Sequence, residues 1–231
     1  MIEIIPFDRL GRFENTWLSA RYHFSFASYR DPQRMGIGPL RVWNDDRVKP
    51  DAGFDMHGHR DMEIVTYMRS GAITHRDDLG NEGQIRAGEV QVMSAGTGIV
   101  HSERNEGAEP AELFQIWLTP RTQGLAPRWE QRNVSTHARP GALVTLASGR
   151  GEVEALVIHQ DAAVLAAVLP RGAAVRHALG GRRAYLVPAR GAITVNGTNA
   201  GTRDGVAASS EHTLDIRATE DAEIVLVDLP A

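Results

Sequence analysis

Short apolar or alternating runs recur along this chain roughly every ten residues, each closed by a cluster of Gly, Asp, Asn or Pro. Few long helical periods interrupt them, and 23 glycines with 11 prolines supply the turns. That rhythm restricts the fold to an all-β class of sandwiches and barrels. Residues 23–26 and 40–43 read as early strands, the second running into a turn at Asn44-Asp45-Asp46. Residues 113–118 alternate aromatic and polar side chains before Thr119-Pro120 and read as the last strand of a first barrel. From 120 to 140 proline, arginine, glutamine and glycine dominate, and 129–132 carries a helical turn. A second series of strand-like runs follows, with Asn196-Gly197 as a strong hairpin signal. The expected organisation is therefore an N-terminal barrel over 1–120, a linker over 121–140 and a second barrel over 141–231.

Two polar clusters sit inside the first series: His57-Gly58-His59 and His101-Ser102-Glu103. Side chains two residues apart on a strand point to one face, so each cluster aims two donors in one direction. Together they offer three imidazoles and a carboxylate, a donor set suited to a first-row divalent metal. Glu63 is the competing carboxylate. His75 and Asp77 follow on a hairpin, placed either to hydrogen-bond a ligating imidazole or simply to form a polar turn. His23 reads as a core histidine. His159, His177 and His212 have no partner at i+2, so the second half is expected to hold no metal.

The segment from His57 to His101 resembles the two consensus segments of a cupin barrel. His57, His59 and Glu63 meet His-x-His-x3-Glu, and a second segment opens at Gly88 and carries Gly96. Where most cupins place the second histidine this chain has Ile99; the histidine comes two residues later, at His101, a shift that keeps the side chain on the same face. This variant resembles the pirin family, as do Val65-Thr66-Tyr67, the turn from His75 to Gly83 and the run from Ser94 to Glu103. The bacterial members described as quercetin 2,3-dioxygenases are most similar. The resemblance is dense from Trp17 to Arg132. It implies two cupin-type (double-stranded β-helix) barrels, with metal ligands His57, His59, His101 and Glu103 in the first.

The resemblance further implies a dioxygenase that opens the heterocyclic ring of flavonols such as quercetin, Glu103 serving as both ligand and catalytic base. Its partners would be a small planar phenolic substrate and dioxygen. The alternative it carries is a non-enzymatic, metal-bound redox sensor or regulatory binding protein, its protein partner unknown. Three neutral histidines and a carboxylate leave a divalent ion roughly one net positive charge and about two open positions at six-coordination. Without a thiolate donor that favours Fe(II), with Mn, Co, Ni, Cu and Zn left open.

Composition sets the outer bounds. The chain has 231 residues, 42% apolar and 23% charged, as in an ordinary globular protein. A net charge of −4, with scattered arginines and almost no lysine, gives no basic face for nucleic acid. No cysteine is present, which removes disulfides, thiolate ligands and thiol nucleophiles. The acidic N-terminus does not read as a secretory signal, and no run approaches the ~20 apolar residues of a membrane span. A cytoplasmic location is the expectation.

Overall fold

A computed structural model describes residues 1–133 and 141–231; residues 134–140, on which part of the expected linker falls, lie outside the described residues. The first strands are β1 (Ile2–Ile5), β2 (Gly11–Glu14), β3 (Leu18–Tyr22), β4 (Leu40–Val48), β5 (Ala52–His59), β6 (Glu63–Ser70) and β7 (Ala72–Asp77). They continue as β8 (Glu82–Arg86), β9 (Glu89–Ser94), β10 (Ile99–Asn105), β11 (Ala111–Leu118), β12 (Arg128–Asn133), β13 (Val144–Ser148), β14 (Leu156–Val157) and β15 (Ala163–Leu169). The last are β16 (Ala174–Ala178), β17 (Arg183–Arg190), β18 (Ile193–Val195), β19 (Thr198–Ala200), β20 (Gly205–Ala208), β21 (Thr213–Ala218) and β22 (Ala222–Leu229). A 3-10 turn at Phe7–Arg9 is the one helical element among the described residues, and no helix there is long and apolar enough to cross a membrane.

The contacts divide the chain into two units. One holds residues 11–133 and Leu156–Gln160; the other holds Met1–Leu10, residues 141–155 and Asp161–Ala231. Each has a larger and a smaller antiparallel sheet of the cupin type. In the first unit the sheets run β12-β9-β6-β11-β4-β3-β2 and β5-β10-β7-β8. In the second, β20-β17-β22-β15 and β16-β21-β18-β19 repeat β9-β6-β11-β4 and β5-β10-β7-β8 strand for strand. The halves therefore share a topology although no residue-level repeat is visible.

Both sheets of each unit feed one core. Leu18, Tyr22, Met68 and Leu113 from the larger sheet of the first unit cluster with Ile73 and Ile85 from the smaller. Leu165, Leu186, Ile224 and Leu226 do the same with Val175, Ile193 and Ile216 in the second. The Asn196-Gly197 hairpin forms as expected: both residues take positive φ (49° and 82°), and Val195 faces Thr198.

Several boundaries differ from the sequence reading. Residues 23–26 form no strand beyond a bridge between Phe26 and Tyr29. Asn44-Asp45-Asp46 is no turn but the middle of the nine-residue β4. Residues 129–132 are not helical; β12 pairs along β9 from Arg128↔Ser94 to Asn133↔Glu89. An edge strand half open to water needs no apolar alternation, so its charged sequence hid it. The first ten residues fall in the second unit, because β1 pairs with β20 and packs Ile2 and Ile4 on that unit's core.

Candidate metal centre

The smaller sheet of the first unit brings the two polar clusters together. β10 lies antiparallel to β5, with His101 opposite His57 and Ile99 opposite His59. The turn feeding β10 needs Gly96 and Gly98, whose φ values are +46° and +139°. The ring centroids of His57, His59 and His101 are 4.5–5.0 Å apart, and each contributes a nitrogen to one group within 4.8 Å. Spacing of this order is what imidazoles around one divalent ion require.

Hydrogen bonding fixes which nitrogen two of the three rings, those of His57 and His101, can offer. The Nδ1–H of His57 donates to the Asp55 carbonyl at 2.7 Å, leaving Nε2 with its lone pair. Behind His101, the Asp77 carboxylate accepts from His75 Nε2–H at 3.1 Å, which leaves His75 Nδ1 as an acceptor. His101 Nδ1 lies 3.3 Å from that atom and must be the donor, so its Nε2 carries a lone pair. That Nε2 is buried and has no hydrogen-bond partner. A metal ion is the natural occupant for such an atom, and the donor set fits one. Burial, then the neighbouring imidazoles, pushes His101 down to about 2; burial and His57 push His59 down to about 4. Both rings are thus neutral at ordinary pH, as ligands must be.

His75 also groups geometrically with His101 and Glu103. Both its nitrogens are spent, however, and its ring stacks on Trp129 at 4.8 Å with 11° between planes. It hydrogen-bonds His101 and thereby orients that ring.

The two carboxylates separate clearly. Glu103 is buried, accepting 2.6 Å hydrogen bonds from Gln91 Nε2 and Gln115 Nε2 and a longer one from Thr66. Burial outweighs those bonds and pushes it up to about 7. It groups with His101 but not with His57 and His59. Glu63 opens β6 in the larger sheet, and its Oε2 accepts from Ser94 at 2.7 Å. A cavity of about 160 Å³ lies over the histidines, lined by Phe26, Phe54, Ile64 and Trp117 together with Asn44, Asp46, Glu103 and Gln115.

Comparison with known proteins agrees with this architecture. The family model Pirin matches residues 6–118, and the model for a quercetinase C-terminal cupin domain matches 145–229. A Pseudomonas aeruginosa protein provisionally named a quercetin 2,3-dioxygenase is 55% identical over 231 residues, covering 99% of this chain and all of its own. The chain belongs to the pirin family. The quercetin 2,3-dioxygenase of Escherichia coli K12 is 40% identical, covering 100% of this chain and 99% of its own. The crystal structure of the bacterial pirin YhhW from Escherichia coli with nickel(II) superposes with a TM-score of 0.94 at 39% identity, over 100% and 99% of the two chains.

Within this pirin fold the second unit has a different interior among its described residues. Its strands β16 and β21, counterparts of β5 and β10, send Val175, Leu214 and Ile216 into the apolar core. Among the described residues no group of three metal-donor side chains falls in that unit. His177 is engaged instead with Asp228, at 2.7 Å. His23 is fully buried beside Trp43. Sequence reasoning missed Asn44, Asp46, Gln91, Gln115 and Trp129. The signal was available for the first two, at i and i+2 once β4 is drawn through them.

Proposed function

We propose that this chain is a metal-dependent dioxygenase that opens the heterocyclic ring of flavonols such as quercetin, with His57, His59, His101 and Glu103 holding one divalent ion. The observation that carries the reading is the buried, partnerless His101 Nε2, converging with two further histidines beneath an aromatic-walled cavity. The names of the relatives support the substrate class. Fe(II) fits the donor set; the Escherichia coli relative, described in complex with nickel(II), supports a divalent ion of this row.

The bound ion would supply Lewis acidity, lowering the pKa of an enolic hydroxyl brought to it. The chain's own residues do the rest. Phe26, Phe54 and Trp117 exclude water and hold a flat ring by its faces, Trp117 standing edge-on to His59 at 4.9 Å. Glu103, its oxygens fixed by two amide donors, accepts the hydroxyl proton. Flavonol and dioxygen are consumed together, two carbon–carbon bonds of the ring break, and carbon monoxide leaves. Oxygen uptake matched by carbon monoxide release on addition of quercetin, lost on metal removal, is the expected result.

A further inference from the structure

The strand β4 carries three consecutive polar residues, all buried. Alternation sends Asp45 to one face, where Arg69 Nη2 meets its Oδ1 at 2.5 Å. Asn44 and Asp46 take the other face and line the cavity, 4% and 3% exposed. The Oδ1 of each has no hydrogen-bond partner. Gln115, opposite Asn44 in register, is by contrast engaged at both ends of its amide, donating to Glu103 and accepting from Trp117. An unmade hydrogen bond on a buried polar atom is unfavourable, because the group has given up water without a replacement. Two such atoms, side by side on the wall of a cavity with aromatic residues around it, indicate groups kept for something that enters.

The chemistry of the pair is that of two unpartnered oxygens facing one cavity. A phenolic hydroxyl can donate to either of them; a ring carbon satisfies neither.

We propose that Asn44 and Asp46 form a hydrogen-bonding subsite for a second hydroxyl group of the bound ring, so that the cavity selects polyhydroxylated aromatic compounds over analogues with the metal-directed hydroxyl alone. The subsite rests on the flavonol reading and names what the cavity adds to it.

The test uses the full-length, metal-loaded protein without oxygen. Quercetin and 3-hydroxyflavone, which lacks the additional ring hydroxyls, are titrated separately and their Kd values compared. The intact protein is expected to prefer quercetin by about tenfold or more, the worth of a good hydrogen bond. Asp46→Leu and Asn44→Leu should each bring that ratio towards one, whereas Asp46→Asn, which retains an oxygen at that place, should keep most of it. Metal content and the thermal midpoint are measured on the same samples. Replacing an orphaned buried carboxyl by an apolar side chain of similar size should hold or raise the midpoint. The subsite is overturned if both leucine variants keep the ratio of the intact protein. Failure of the intact protein to bind either compound would overturn the flavonol reading and the subsite with it.

Discussion

At the scale of the residue, His101 is aimed from behind. The chain Asp77–His75–His101 leaves one tautomer with its lone pair on the cavity side, and Trp129 presses on the flat of His75. Replacing His75 with Phe keeps the stacking and removes the hydrogen bond. Affinity for the ion should then fall by ~10–100-fold, the usual effect of losing such a support, as read by competition with a chelator. His59→Ala with His101→Ala should abolish binding outright. A double variant that still carries a full equivalent of metal by elemental analysis would show that the ion sits elsewhere. Glu103→Gln keeps the size but loses the charge, so turnover should collapse even where metal remains. Glu63→Gln disturbs only the bond from Ser94 and should be milder. The opposite order of severity would return the carboxylate role to Glu63.

At the scale of the element, β5 and β10 must lie very close for their donors to meet. A Cβ on Gly53 would overlap the Glu103 carbonyl oxygen and crowd the Arg104 Cα. Gly53→Ala should therefore cost about 1–3 kcal/mol through overpacking and lower metal content, although residue 53 donates nothing to the ion. Normal metal occupancy with an unchanged unfolding midpoint would show that the spacing of these strands is slack. The donor pairs on these strands were legible in the sequence because a period of two turns spacing directly into direction. Asn44-Asp45-Asp46 was not, since three polar residues read as a turn unless a cavity and Arg69 are known to receive them. The charged β12 was hidden for a similar reason, yet it supplies Trp129, which braces His75 and donates to Gln91 at 2.7 Å. The pairing of β1 with β20 had no local signal at all, because the partner lies at the other end of the chain.

At the scale of the whole molecule, the two units repeat one topology with different interiors: one keeps polar donors around a cavity, the other fills the equivalent place with apolar side chains. The second unit has its own ionic anchor. Burial acts to raise Asp228, but hydrogen bonds from His177, Arg150 and Arg182 overcome it and hold the carboxyl at about 2. A carboxylate held below its unfolded value of 3.8 contributes stability at higher pH, and that contribution is lost as pH falls through about 4 towards 2. The contribution is about 2 kcal/mol. Asp228→Asn should thus unfold at lower urea than the intact protein at pH 7, the two converging near pH 2; a gap independent of pH would refute the ionic account. Removing residues 141–231 would strip β1 of β20 and expose Ile2 and Ile4, so a fragment of 1–140 should aggregate despite holding every proposed ligand. The most direct measurement is the stoichiometry of oxygen consumed and carbon monoxide released per quercetin by the metal-loaded protein, beside its His59→Ala, His101→Ala variant. Equal uptake and release, absent from the variant, is the predicted result; a metal-bound protein that binds quercetin but consumes no oxygen would contradict the dioxygenase assignment and favour a sensing role.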